Sequence, residues 1–385
     1  MGEVTIKALD NTNFEIKKGE LVVIVWPSGA GAASILFAGF SVQYSISGIN
    51  KRQSEDIIKY DAIVALNDKL TDEEEKELNN LLNNESVDSY TSIYYEEVTK
   101  TAGKNNDKKS IKLIVPENTE EFNKYISIIN RKTGKSLNLE NGGVIISERL
   151  ATILNVKQGD TITYTDSNEK TREVKVSGIC EMYAGHFMFM NQSECKNTYE
   201  EQVESNAKLL LFKDSSIENT QKESAKFMEL SAVEGVVQNT TLYNQINTIV
   251  KSLNKIMIVL IILTVLLAIV ILYNLNNINV AERIRELCTI KVLGFYDKET
   301  TMYIYRETII LSAIGIVVGW IIGIILHKYI LTVVPPDEIM FNPIVWIGAY
   351  IIPLVSISVV TFILKYYVNN KLKNVDMLEA LKSVD

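Results

Sequence analysis

Histidine and cysteine are scarce, with two and three residues among 385. No run of them has metal-ligand spacing, and no even set suggests a disulfide framework. His186 stands alone in YAGHFMFM, where an imidazole among aromatics packs or faces solvent more readily than it binds metal or moves protons. Cys180 and Cys195 lie 15 residues apart, so a single bridge and two free thiols both stay open. Cys288 reads as a packed cytoplasmic residue. Basic excess is also lacking: 39 Lys and Arg against 47 Asp and Glu leave a net charge of −8, which argues against nonspecific nucleic-acid binding. Charge is absent altogether from three C-terminal stretches, Ile256–Tyr273, Thr308–Leu326 and Ile339–Leu364. Nothing in them marks an ion path.

What these stretches do have is Ile, Leu, Val and Gly at bilayer length. At 1.5 Å per helical residue, the run Ile256–Tyr273 covers roughly 27 Å, close to a hydrocarbon core. Residues 51–255 are polar by contrast, so a segregated chain hides behind an average composition of 47% apolar residues. Lys and Arg placement sets the orientation. The loop after the first of these spans carries Arg283, Arg285, Lys291, Lys298 and Arg306, and the tail carries Lys365, Lys371, Lys373 and Lys382. The connection between the last two spans has Lys328 against Asp337 and Glu338. Positive-inside bias places the first loop and the C-terminus in the cytoplasm. The polar block before Lys255 then lies outside, which requires an earlier span.

The N-terminal region must supply it. From Glu20 to Lys51 no charged residue intervenes, and Lys17 and Lys18 precede the stretch as an inside anchor. Residues 21–41 are expected to form that helix, although Pro27, Gly29 and Gly31 weaken its first half. The flank ALDNTNFEIKKGELVVIVWPSGAG resembles the opening of an ABC-transporter ATPase, where a strand enters a G-x-x-x-x-G-K-[ST] phosphate loop. Here Trp26 replaces the first Gly, Ala32 the Lys and Ala33 the hydroxyl, leaving Gly29 and Gly31. The chemistry that neutralises phosphates and holds Mg²⁺ is gone, and no Walker B or LSGGQ-like sequence follows. No cofactor is expected.

From about Ile35 the chain resembles the FtsX/MacB-like permease family of ABC transporters, particularly its large Gram-positive members. The matching segments are ILFAGFSVQYSISGINKRQSEDIIKYDAIVALND, NGGVIISERLATILNVKQGDTITY, NINVAERIRELCTIKVLGFYDKE and NVDMLEALKSVD. The resemblance implies a membrane α-helical protein with four transmembrane helices and an extracytoplasmic α+β domain between helices 1 and 2. The corresponding divisions are an ATPase-like remnant at 1–20, helix 1 at 21–41, the outer domain with its stalk at 42–253 and helix 2 at 254–278. A cytoplasmic coupling loop at 279–306, helix 3 at 307–329, an outer loop at 330–342, helix 4 at 343–366 and a cytoplasmic tail at 367–385 complete them. It further implies a multi-pass cell-membrane protein with both termini cytoplasmic, partnered by a separate ABC ATPase, the bilayer and a second permease copy or half. The N-terminus departs from the family. A join near Gly-Ala-Gly suggests a chimera, whose alternative outcome is a nonfunctional product with a defective first span.

Within the outer domain, Tyr60–Leu66 alternates as a strand, and Thr71-Asp72-Glu73-Glu74 forms a capping box that opens a helix through Leu82. Ser89–Val98 and Ile111–Val115 read as strands around a solvated loop at 99–110. Gly143–Ser147 leads to a short helix, Glu148–Leu154, and Thr161–Thr165 and Arg172–Val176 form a hairpin. Ser215–Leu253 reads as largely helical, ending in a stalk. No catalytic constellation emerges, so an enzyme is not expected.

Two candidate sites remain. In the resembling family the cytoplasmic loop carries a helix that docks in a groove of the ATPase. Here Glu282, Arg283, Arg285 and Glu286, with Lys291, supply a charged face. Leu287, Ile290 and Leu293 supply an apolar face at helix-in-groove spacing, and Gly294 ends the helix. From the residues alone, an interfacial amphipathic helix fits equally. In the next span Gly315, Gly319 and Gly323 recur every four residues, a face that lets another helix, from this chain or a second copy, approach closely.

Overall fold

The computed structural model describes residues 30–103, 106–282, 286, 289–290 and 293–373. The ATPase-like stretch 1–20, residues 21–29 of the expected first span and residues 374–385 of the tail lie outside them. The chain divides into two units, one formed by Met1–Ala38, Ile261–Leu326 and Ile347–Asp385, the other by Gly39–Leu260 and His327–Trp346.

The second unit is built on nine strands among the described residues: β1 (Ala62–Leu66), β2 (Val87–Ala102), β3 (Asp107–Pro116), β4 (Val144–Ser147), β5 (Thr161–Thr165), β6 (Thr171–Cys180), β7 (Phe187–Phe189), β8 (Ala207–Phe212) and β9 (Val233–Gln238). They run in the order β3-β7-β4-β6-β5-β2-β8-β1-β9, and β3 also pairs β2. That extra pairing closes β2, β3, β7, β4, β6 and β5 on themselves, while β2-β8-β1-β9 continues as an open sheet. β2 serves both because it is 16 residues long: its first part pairs β8 and its second part pairs β3 and, at Thr99↔Thr165, β5. β3 and β7 are parallel, as are β4 and β6, so the sheet is mixed.

Side-chain alternation assigns each strand to its core. Along β3, Ile111, Leu113 and Val115 enter one cluster with Val98, Val144, Ile146, Tyr164, Val176 and Met188, while Ile114 enters another. Along β1, Ala62, Val64 and Leu66 pack under the helices Asp72–Leu82 and Ile217–Met228 through Leu78, Leu82 and Phe227, while Ile63 points to the opposite cluster. The helix Asp72–Leu82 starts as its sequence dictates. The Thr71 hydroxyl accepts from the Glu74 amide at 3.4 Å, and the Glu74 carboxylate accepts from the Thr71 amide at 2.8 Å. The hairpin β5–β6 and the helix Glu148–Leu154 also lie where the sequence puts them.

Three expectations need correction. Residues 99–110 are not a solvated loop: Thr99↔Ser110, Lys100↔Lys109, Thr101↔Lys108 and Ala102↔Asp107 continue the β2–β3 ladder. Their side chains are polar because the strand tips face water, so no apolar alternation betrays them. Ser215–Leu253 is helical over most of its length, as expected, but not continuously so: β9 interrupts it between Ile217–Met228 and the helix that begins at Asn239. β9 pairs β1 as an edge strand, and Gly235 with three valines suits that ladder better than a helix. Helix 4 does not begin at residue 343. Ile339 and Phe341 are buried in the sheet unit, and the helix starts at Gly348.

The first unit is helical. The helix Ala30–Ser47 begins in it and extends six residues beyond the expected end at residue 41. Asn239–Glu282, Asp297–Val333 and Gly348–Lys373 supply the rest. Three described segments are long and apolar enough to cross a bilayer: Ala30–Ile57, Asn239–Ile271 and Ile309–Val333. Gly348–Ile363 is apolar but shorter. Ile256, Val259, Leu263, Val317, Ile321, Ile351, Val355 and Phe362 all leave large apolar side chains exposed, which water would penalise and lipid would not.

Candidate functional site

The loop expected to dock a partner is described in part. Glu282 is the last residue of its helix, and Glu286 is exposed; Arg283, Arg285, Leu287 and Lys291 lie outside the described residues. The end of the segment is well defined. The Leu293 amide donates to the Thr289 carbonyl at 3.1 Å, and the Phe295 amide reaches back across Gly294 to the Ile290 carbonyl at 3.4 Å. Gly294 has φ +94°, the left-handed conformation that a Schellman stop requires and that a side chain would strain. The following helix is capped at once. The Glu299 carboxylate accepts from the Tyr296 amide at 3.0 Å, and the Glu299 amide donates to the Tyr296 carbonyl at 2.9 Å.

This tight corner pushes apolar groups outward. Leu293 is 72% exposed, Phe295 53% and Tyr296 79%. Three such side chains in four residues form an apolar knob held by backbone hydrogen bonds. Sequence reasoning found Leu293 and Gly294 but missed Phe295 and Tyr296. The signal was present: aromatics just after a helix-stopping glycine, on a polar loop, have no core to enter.

In the helical unit, Gly315, Gly319 and Gly323 are buried along one face of Asp297–Val333. A Cβ at Gly319 would lie 2.5 Å from Ala33 Cβ and 2.9 Å from the Ala30 carbonyl oxygen; one at Gly323 would lie 2.6 Å from the Phe37 ring. The partner facing these two glycines is thus the helix Ala30–Ser47 of the same chain. Tyr350 completes the contact, edge-on to Phe37 at 4.8 Å and to Trp320 at 5.7 Å.

In the sheet unit, the segment Pro335–Phe341 is strapped across the strands. Ala184 bridges Ile339, Gly185 donates to Glu338, and Met340 donates to Tyr183. Arg149 caps three successive carbonyls, those of Pro335 at 3.4 Å, Pro336 at 3.2 Å and Asp337 at 3.1 Å. Lys109 reaches the Asp337 carboxylate at 2.6 Å, a hydrogen bond that holds the carboxyl below its usual range and raises the lysine. Against this cluster His186 is 2% exposed, and neither ring nitrogen has a hydrogen-bond partner. Burial, reinforced by Arg149 and Lys109, lowers its pKa to about 4. Arg149→Ala is expected to loosen the strap, with amide exchange at Gly185 and Met340 accelerating about 10-fold or more through loss of a charged multiple donor. Unchanged protection would show the strap to be held by its backbone pairs alone.

Elsewhere the sheet unit uses its charges as ties. Glu181 takes two nitrogens of Arg52 at 2.9 and 3.1 Å and the Tyr183 hydroxyl at 2.7 Å, and Arg131 binds Glu148 in the same two-pronged way. Cys180 and Cys195 are both free and buried, in different clusters. Burial pushes both thiols up to about 12. Among the described residues no group of three or more His, Cys, Asp or Glu is gathered for a metal ion.

Residues 258–380 match the FtsX-like permease C-terminal family. No curated protein matches the chain. Among solved structures, the extracellular domain of the noncanonic ABC-type transporter YknZ from Gram-positive bacteria is similar at 13% identity, over 43% of this chain and 88% of that one, with a TM-score of 0.26. The periplasmic region of MacB from Actinobacillus actinomycetemcomitans is similar at 12% identity, over 50% of this chain and 95% of that one, with the same score of 0.26. At such scores neither likeness extends to activity, partner or substrate.

Proposed function

We propose that this chain is the permease component of an FtsX/MacB-like ABC system. A separate ATPase docks on the loop 279–306, and its nucleotide-driven motion is passed to the sheet unit on the outer face of the cell membrane. The observation that carries the reading is the family match over 258–380, which contains that loop and the apolar helices on both sides of it. The apolar knob of Leu293, Phe295 and Tyr296 supports it, since a helix-in-groove partner needs such anchors. Topology supports it too, because the Lys and Arg excess of the loop favours the cytoplasmic side. In this reading Ala30–Ile57, Asn239–Ile271 and Ile309–Val333 are three spans and Gly348–Lys373 is the fourth, its 26 residues reaching about 39 Å. A second permease copy is the further partner.

The test is co-purification with the cognate ATPase. Arg285→Glu together with Leu293→Asp is expected to cut recovered ATPase at least about tenfold, and Tyr296→Ala alone to weaken it by a similar factor if the ring anchors the contact. A complex that survives the double variant refutes the docking assignment.

A further inference from the structure

The membrane-type helices Asp297–Val333 and Gly348–Lys373 enclose a groove of about 470 Å³. Its wall is apolar toward Trp320 and Leu354. Hydroxyls of Ser312 and Thr361 appear toward the other end, where Lys365 stands at the mouth. The Thr361 hydroxyl is buried and has no hydrogen-bond partner. The Lys365 ammonium donates to the Met302 thioether at 3.7 Å and has no carboxylate partner among the described residues. An occupant made only of hydrocarbon would leave the Thr361 hydroxyl without a partner and the Lys365 charge with a thioether alone.

We propose that this groove binds an anionic glycerolipid of the surrounding bilayer. The acyl chain runs along Leu354 and Trp320, an ester oxygen accepts from Thr361, and the phosphate meets Lys365. The spacing fits that order. Thr361 and Lys365 are four residues apart on one helix, about 6 Å, so hydroxyl and ammonium are stacked as ester and phosphate are in a lipid. Charge selects this occupant over a second copy. The apolar stretches Ala30–Ser47, Asn239–Ile271, Ile309–Val333 and Gly348–Ile363 contain no Asp or Glu, so the apolar length of another copy's spans brings no anion into the groove, and only flanking residues such as Glu307 could reach its mouth. An anionic lipid brings its own. The inference rests on the membrane placement of these helices and is independent of ATPase docking, so failure of the docking test leaves it standing.

The experiment uses Trp320 as the reporter. In the full chain carrying Trp26→Phe and Trp346→Phe, Trp320 is the sole tryptophan of the original three. The protein is reconstituted in phosphatidylcholine vesicles containing either dibrominated phosphatidylglycerol or dibrominated phosphatidylcholine at equal mole fraction. The anionic lipid is expected to quench Trp320 with an apparent affinity about fivefold higher, the effect of one surface charge. Lys365→Gln should erase that preference and Lys365→Arg should keep it, which separates charge from folding. Equal quenching by both lipids in the unsubstituted chain would overturn the proposal as generic lipid contact. So would weak quenching by both, accompanied by disulfide cross-linking of a Thr361→Cys variant between copies, which would assign the groove to a second copy.

Discussion

Replacing Gly319 with leucine is expected to pull the helix Ala30–Ser47 away from Asp297–Val333 and lower the SDS concentration that unfolds the reconstituted protein. The cause is contact distance. Even a methyl group at this position would lie 2.9 Å from the Ala30 carbonyl oxygen, a backbone atom that moves only if the whole helix moves. It would also sit 2.5 Å from Ala33 Cβ and 3.2 Å from the Ser34 amide. Overpacking of a tight core costs ~1–3 kcal/mol. Here the cost is joined by loss of the Ala33, Ile316 and Ile357 cluster once the helices part. Between apolar helices in lipid no hydrophobic force restores the contact, because lipid solvates leucine as well as protein does. Gly323→Ala should be milder, since its obstacle is the Phe37 side chain. Gly48→Ala is the control, because nothing lies within 4 Å of the position a Cβ would take there. An SDS midpoint for Gly319→Leu equal to that of the unsubstituted chain would show that the glycine face is not the packing surface.

That glycine face could be read from spacing alone, but its partner could not. Periodicity reports which side of a helix is small; it carries no information about the helix that arrives from nearly 300 residues earlier. The same division runs through the sheet unit. Thr71 and Glu74 specify their cap within four residues, and the hairpin β5–β6 closes over a five-residue connection, so both were legible. The parallel pairs β3–β7 and β4–β6 join segments that have no local tie, and nothing in either strand names its neighbour. β9 was hidden by its neighbourhood: six residues between two helical patterns look like a continuation until β1 claims them. Ile339 and Phe341 show a third kind of blindness. Their place in an outer loop follows from the charges around them, yet nothing in that loop says that these two side chains fill a water-soluble core, because hydropathy cannot tell that surrounding from lipid. At the candidate docking corner, Gly294 announced the stop, while the outward aim of Phe295 and Tyr296 follows from the Schellman geometry and needed coordinates.

Acidification from neutral pH to about pH 4 is expected to cost the sheet unit roughly 3 kcal/mol through His186 alone. The imidazole is buried against Arg149 and Lys109 with only Asp337 to offset them, and its pKa is held at about 4, against 6.5 for a free histidine. Because the folded pKa is the lower one, the unfolded chain binds the proton first as pH falls below about 6.5. Stability therefore declines from there down to about pH 4, where the folded protein also protonates and the loss levels off. The carboxylates held low by their partners, Glu181 by Arg52 and Asp166 by Arg172, lose their contribution only below their ordinary range near 4. Asp61 acts in the opposite sense. Desolvation raises its pKa although the Phe212 amide and the Ser215 hydroxyl both donate to it, so acid favours its folded form. These overlapping titrations make a difference measurement necessary. The unfolding free energy of the full chain in detergent should be followed from pH 7 to pH 4 beside a His186→Leu variant, which keeps the bulk and removes the titration. The variant is expected to match or exceed the unsubstituted chain at pH 7, since two unpartnered ring nitrogens leave the core, and to lose far less on acidification. Parallel curves over pH 4 to 6.5 would mean that the imidazole is solvated in both states, and that the Lys109–Arg149–Asp337 cluster does not seal it.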